Sequence, residues 1–289
     1  MVLLGIFAHF KFLIKVGRSE VGQEIKMPLK KIITWNVNSL QTLSSWFPYS
    51  DKLKYPDFNS ILNSFEADII CVQEVKSTQR ELDQEFHTLQ DYWAFFNLHP
   101  TEGYSGVGTF VKKTLCPENC ELGFSGLLKT NSSPSSSSSS GSAALSGSKE
   151  LIEKFGKNEL LQLDSEGRCI ILQFGSLILF NVYFPATSEK SSRNEFKMQF
   201  SNAVRSRVDH LISQGYHVIV AGDLNAARQA IDRYDIKSDD ELNEHLPSIW
   251  INDWISLTMT DCFRHLYPTK KDVYTVWNTK ENRRPVNQG

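Results

Sequence analysis

Four apolar runs decide how this chain is read: IITWNVN at 32–38, IICVQE at 69–74, LILFNVYFPA at 177–186 and VIVAGDLN at 218–225. Each is rich in β-branched and other apolar residues, the pattern of a strand buried in a sheet. Each also carries polar residues at or near its end: Asn36 and Asn38, Glu74, Asn181 and Tyr183, Asp223 and Asn225. Polar groups just past buried strands collect at one edge of a sheet, where α/β proteins place their sites. Taken singly, each ending has an ordinary alternative. In isolation Asn36 reads rather as a strand-end turn residue and Glu74 more often as a solvated strand terminus, with GDLN open to a simple turn and Tyr183 to a core tyrosine with a satisfied hydroxyl. Four such endings in one chain point to a site.

Working outward, residues 57–67 place Phe58, Ile61, Leu62 and Phe65 at helical spacing and lead directly into the 69–74 run. That strand–helix–strand unit is the mark of a sheet covered by helices. Further strands are read at 92–98 and 106–112. A hairpin is read between 168–174 and 177–184 across Gly175-Ser176, and a long amphipathic helix over 193–213 is stopped at Gly215. Residues 131–148 are dominated by serine, cannot bury a core, and are expected to form a disordered surface loop, with a phosphorylated regulatory loop as the alternative. Residues 2–16, VLLGIFAHFKFLIKV, have neither the basic lead nor the small-residue cleavage site of a targeting segment. Residues 1–26 are therefore expected to be an N-terminal extension outside the fold, with one domain running from Met27 to Gly289.

Composition narrows the class of function. With 31 basic and 33 acidic residues the formal net charge is −2, so any nucleic-acid site must be a local patch rather than a general basic coat. The five cysteines show no CxxC pairing, which suits a reducing compartment and argues against a disulfide framework or a zinc module in this chain. No apolar run reaches the roughly 18 residues of a membrane-spanning helix, and no membrane partner is expected.

The strand ends supply the ligand types that Mg²⁺ prefers, carboxylates and neutral oxygens with few charges, with Mn²⁺ as the alternative ion. Glu74 and Asp223 are the carboxylates; Asn36, Asn225 and Tyr183 add neutral groups suited to an anionic oxygen. Asp223 and Asn225, two apart, face one side in extended backbone. From Cys262 to the end, Arg264, Lys270, Lys271, Lys280, Arg283 and Arg284 interleave with Tyr274 and Trp277. Basic side chains contact phosphates and aromatic faces pack on sugars or bases; the alternative is a solvated charged face.

The segments TWNVNSL, ADIICVQEVKS, GYSGVGTF, NVYFP, GDLNAA…ID and DCFRHLYP…YTVW resemble the exonuclease III type of abasic-site (AP) endonuclease, in the endonuclease/exonuclease/phosphatase superfamily. GFSGLL, LDSEGR and FKMQF look closest to the eukaryotic AP endonuclease 2 branch. The resemblance implies a DNase I-like α/β fold, a four-layer sandwich of two mixed sheets flanked by helices. It implies Asn36, Glu74, Asp223 and Asn225 at a metal site, Glu74 as the direct ligand, and Tyr183, Asp223 and Asn225 in catalysis. DNA contacts are expected from Asn38, Arg264, Tyr274, Trp277, Arg283 and Arg284. Asn38 stands where many members have Asp, and Ala186 where many have Asn. The implied activity is Mg²⁺-dependent incision of double-stranded DNA 5′ to an abasic site, with trimming of blocked 3′ ends, in base excision repair. The nucleus is the expected compartment and the mitochondrion the alternative. The family pattern continues past VNQG with an Asp-bearing strand and a Ser-Asp-His motif. On that comparison the C-terminal strands are missing and the chain as written is expected to be inactive alone; a PCNA-binding motif belongs only to the full-length form. Other phosphodiesterases or phosphatases of the superfamily, and a DNA-binding pseudo-enzyme, are the rival readings.

Overall fold

The computed structural model describes residues 11–15 and 29–276, except 47, 83, 87, 129–144, 146 and 188–190. Its strands form two sheets. The four-stranded sheet contains β2 (Ile32–Asn36), β3 (Ile69–Gln73), β4 (Tyr92–Asn97) and β5 (Val107–Lys112) in the order β2-β3-β5-β4. The six-stranded sheet has the order β10-β1-β9-β8-β7-β6, from β1 (Lys11–Lys15), β6 (Asn119–Leu122), β7 (Cys169–Phe174), β8 (Leu177–Tyr183), β9 (His217–Asp223) and β10 (Thr260–Asp261). Helix α1 (Phe58–Ser64) covers the first sheet. The second is covered by α2 (Ser148–Phe155), α3 (Lys157–Asp164), α4 (Ser191–Ser213) and α6 (Leu246–Leu257), with the short α5 (Asp239–Leu242) and α7 (Cys262–Leu266) at its edge.

Period-two alternation builds three core layers. Ile32, Ile69 and Cys71 point toward the second sheet and meet Ile170, Leu172, Leu179 and Ile219. Ile33, Ile70 and Val72, one residue on, meet Phe58, Ile61 and Leu62 of α1. On the outer face of the second sheet, Ile171, Phe180, Val182 and Val220 pack on Phe200, Val204 and Val208 of α4 and Trp254 of α6. The result is the expected helix–sheet–sheet–helix sandwich. The sequence-read unit at 57–74 is realised: Asp57 caps α1 by accepting from the Ser60 amide at 2.7 Å, and β2 and β3 pair in parallel. The hairpin is realised too, with Phe174 opposite Leu177.

Two expectations are corrected. Residues 1–26 do not all lie outside the fold: Lys11–Lys15 is a strand between β9 and β10, antiparallel to both, with Lys11 opposite Gly222 and Leu13 opposite Asp261. β9 pairs with β8 on one side only, and the row of amides and carbonyls on its other side is a template for any β-prone segment. The partner lies some two hundred residues away, so no hairpin signal marks it. At the end of the serine-rich segment, Leu145 is buried and Ser148 already opens α2; residues 131–144 and 146 lie outside the described residues.

A buried ion pair holds this end of the segment. Arg207 of α4 meets Glu121 of β6 at 3.0 Å with both side chains out of water, and Arg207 also donates to the Leu145 carbonyl at 2.7 Å. The Leu145 amide donates to Glu121. Burial pushes the Glu121 carboxyl up despite the Arg207 charge. Removing one partner of such a pair strands a buried charge, whereas replacing both with apolar groups is often neutral. Arg207→Met is therefore expected to cost about 3–5 kcal/mol in urea unfolding, and adding Glu121→Leu to restore most of it. Equal stability of the two variants would contradict this assignment.

Candidate active site

The ends of β2, β3, β8 and β9 converge, and the two sheets are tied together just beneath them. Gln73 of β3 donates to Thr34 at 2.9 Å and, across the sheets, to Asn181 Oδ1 of β8 at 2.8 Å. Asn181 in turn donates to the Gly108 carbonyl at 2.7 Å and to Thr109 at 3.0 Å. Asn181, a strand-end polar residue in the sequence, is thus a buried clamp that fixes the register of one sheet on the other.

Above the clamp, the Asn36 amide nitrogen donates to Glu74 Oε1 at 2.6 Å and to Asp223 Oδ2 at 2.9 Å. The Asn36 oxygen accepts from the Asn38 amide at 3.1 Å, which sets the orientation of the side chain. As arranged, Asn36 presents N–H groups, not an oxygen, to the carboxylates. It bridges the Glu74 and Asp223 carboxylates. Asp223 Oδ1 accepts from the Asn225 amide at 2.9 Å, and the Asn225 side chain donates to the Phe184 carbonyl at 2.8 Å. Lys76, which the sequence reading passed over, lies 2.8 Å from Glu74 Oε2 and also donates to exposed Asn38. The hydroxyl of Tyr183 hydrogen-bonds Glu74.

Four residues of the rim, Asn38, Glu74, Lys76 and Asn225, have φ between 47° and 55°. Such left-handed backbone in non-glycine residues clusters at functional sites. Burial alone would raise the Glu74 carboxyl, but N–H donation from Asn36, the Lys76 contact and the Tyr183 hydroxyl outweigh it and hold the group below its ordinary range. Tyr183 moves the opposite way. Burial and the Glu74 charge push its phenol well up, so it is a neutral hydroxyl at physiological pH.

The donor set fits a hard divalent cation of the Mg²⁺ type. Glu74 is ionised and Asp223 faces the same amide, while among the described residues no group of three or more His, Cys, Asp or Glu forms a self-sufficient metal cage. Mg²⁺ characteristically takes one or two carboxylates and completes its shell with water and substrate phosphate.

Behind Tyr183 lies a second charged cluster. Buried Arg168 donates to Glu166 at 2.5 Å, to the Tyr183 carbonyl at 3.1 Å and to the Tyr104 hydroxyl at 2.6 Å, with its guanidinium 4.7 Å from the Tyr183 ring centroid. Arg193 of α4 grips both oxygens of Glu166 at 2.7 Å. Tyr104, Glu166 and Arg168 stood out in the sequence only through the GYSGVG and LDSEGR segments that hold them, and Arg193 only as the start of the long helix.

The expected DNA-contact residues separate. Arg264 is corrected: it is 3% exposed, donates to Asp232 Oδ1 from Nε at 2.9 Å and Nη2 at 2.5 Å, and donates from Nη1 to the Tyr267 and Lys270 carbonyls. It braces the last turn and is turned away from solvent. Tyr274 is half-buried and meets Asp272 at 3.4 Å. Trp277, Arg283 and Arg284 lie outside the described residues.

Burial also works against the charge of Glu166, but hydrogen bonds from Arg193 and Arg168 and their charges overcome it, leaving the carboxyl below its usual range. Its ion pairs therefore contribute in full above the unfolded value of about 4.3 and fade as pH falls through the lower folded value. In urea unfolding, the stability gap between the native chain and Glu166→Gln is expected to be widest at about pH 6 and to shrink toward about pH 3. A gap that is constant or widens in acid would place the carboxylate outside these pairs.

Three comparisons bear on the site. A family model described as the Endonuclease/Exonuclease/phosphatase family matches residues 33–287. The DNA-(apurinic or apyrimidinic site) endonuclease 2 of Schizosaccharomyces pombe is 35% identical over 274 residues, covering 90% of this chain and 50% of that protein. The crystal structure of the Xenopus laevis APE2 catalytic domain superposes with a TM-score of 0.72 at 30% identity, over 89% of this chain and 79% of that one. An AP endonuclease from Archaeoglobus fulgidus, at 19% identity and a TM-score of 0.61 over 89% of this chain and 82% of that one, shares the fold. The chain spans about half the length of the curated relatives it matches.

Proposed function

We propose an activity for a chain that belongs to the endonuclease/exonuclease/phosphatase family: metal-dependent hydrolysis of a DNA phosphodiester bond 5′ to an abasic site, with trimming of blocked 3′ ends. The observation that carries this reading is the Asn36 amide between Glu74 and Asp223, which brings two carboxylates from different sheets to one strand-end edge beside the Tyr183 hydroxyl. The likeness to AP endonuclease 2 proteins along 90% of the chain supports DNA with abasic sites as the substrate.

The chemistry follows from the parts. In-line attack on phosphorus needs an oriented water, neutralisation of the nonbridging oxygens and relief of charge on the leaving 3′ oxygen. Glu74, with Asp223 opposite, would hold a Mg²⁺ or Mn²⁺ ion, which when bound would supply Lewis acidity to the phosphodiester. Asp223 is locked by N–H donors on both oxygens, so its carboxylate keeps a fixed direction from which to orient the attacking water and take its proton. Tyr183, kept protonated, donates to an anionic oxygen, and Asn225 adds a neutral amide. Lys76 brings a positive charge to the same rim. Base excision repair in the nucleus is the setting this reading implies, and no helix among the described residues is long and apolar enough to cross a membrane. A PCNA contact belongs to this proposal only for a longer form.

The test is incision, by a full-length form of the protein, of a duplex carrying one tetrahydrofuran site. Mg²⁺-dependent cleavage 5′ to the site is expected, falling about 10²–10⁴-fold in Asp223→Asn. Glu74→Gln is expected to need far more Mg²⁺ for half-maximal rate, since an amide is a poorer ligand for a hard cation. Cleavage that Asp223→Asn leaves intact would remove the activity from this site. Hydrolysis of a phosphoinositide or of poly(A), with the abasic duplex untouched, would replace the substrate.

A further inference from the structure

The segments Gly103–Ser105 and Glu166–Arg168 pack as one unit behind Tyr183. Ser105 is buried, with φ at 58°, and its hydroxyl donates to the Glu166 carbonyl at 2.9 Å. Gly167, at φ 65°, abuts the end of β4 so closely that a Cβ would lie 2.5 Å from the Leu98 carbonyl carbon and 2.8 Å from the Asn97 oxygen. No other residue fits that turn without moving backbone. The turn delivers Arg168 at the start of β7, where its carbonyl accepts from the Tyr183 amide at 2.8 Å.

The guanidinium is used in three directions at once: Nε to Glu166, Nη1 to the Tyr183 carbonyl and Nη2 to the Tyr104 hydroxyl, with its central carbon over the Tyr183 ring, 4.7 Å from the centroid. An arginine buried only to balance a carboxylate would turn its fork on that carboxylate bidentately. Here it is Arg193 that takes both oxygens of Glu166 and also donates to Tyr104 at 2.8 Å.

We infer that Arg168 is the positioning residue of Tyr183: it fixes the ring so that the hydroxyl meets Glu74, and Glu166, Arg193 and Tyr104 hold Arg168 in the one orientation that does so. The inference rests on the reading of Tyr183 as an active-site hydroxyl. A lysine cannot reproduce it, because a point ammonium lacks both the planar fork and the stacking face.

The experiment uses the full chain labelled with [¹³Cζ]-tyrosine, in which Tyr183→Phe identifies the Tyr183 resonance. In Arg168→Lys, and in Glu166→Gln, which retains the arginine, that resonance is expected to shift or broaden at fixed pH. An unmoved resonance in a folded Arg168→Lys chain overturns the inference. If Arg168→Lys does not fold, Glu166→Gln and Arg193→Met decide in the same way. In the incision assay Arg168→Lys is expected to lower kcat about 10–100-fold with KM nearly unchanged. The loss should largely vanish in the Tyr183→Phe background, since groups acting as a unit are not additive. Additive losses overturn the inference. Absence of incision by a full-length native form would overturn the proposed substrate, while the resonance still decides the role of Arg168.

Discussion

One side-chain amide holds two carboxylates that would otherwise repel. Glu74 and Asp223 come from different sheets, and charges brought this near each other away from bulk water favour protonation or separation. The two N–H groups of Asn36 remove that conflict by donating one to each. The position of the amide is itself determined, because its oxygen is committed to the Asn38 amide. Much of the rest can be read as what this bridge requires. The sheets must be fixed in register, which Gln73 and Asn181 do from beneath, and β9 must end within reach of β2, which its parallel pairing with β8 secures.

The backbone around the bridge is bent to suit. Left-handed residues cost on the order of 1–3 kcal/mol each and persist only where the surroundings over-determine them. Here they do. The chain after β3 is stitched to the next element by Val75 and Lys76 amides donating to the Gly106 and Ser105 carbonyls, and the chain after β2 by the Val37 amide to Gln73. Glu74 and Lys76 thereby leave the strand on the same side, and the ammonium reaches the carboxylate two residues earlier.

The parts of this arrangement visible in the sequence are those set by local pattern. Buried strands appear as β-branched runs, the α1 unit as helical spacing followed directly by a strand, and the β7–β8 hairpin through Gly175-Ser176. Glu74 and Asp223 were legible because a carboxylate ending an apolar run is conspicuous. What escaped depends on distant pairing. β1 finds its partners far along the chain. Arg264 belongs to a basic, aromatic stretch and reads as a nucleic-acid contact, yet Asp232, 32 residues earlier, draws it into the interior. The Arg168 cluster joins residues up to 89 positions apart, and nothing in a single segment shows that one carboxylate serves two guanidinium groups.

Charge balance explains the choice of residues at the rim. Glu74 and Asp223 contribute two negative charges; Lys76 offsets one at contact distance, and Arg168 stands behind the Tyr183 ring. Glu166, shared between Arg168 and Arg193, leaves that second cluster with one net positive charge facing the first. Taken together, the formal charges of the two clusters are close to balanced. Asn38 fits this balance. Its oxygen accepts from the Lys76 ammonium without adding charge, whereas an aspartate at the same place would compete with Glu74 for that ammonium.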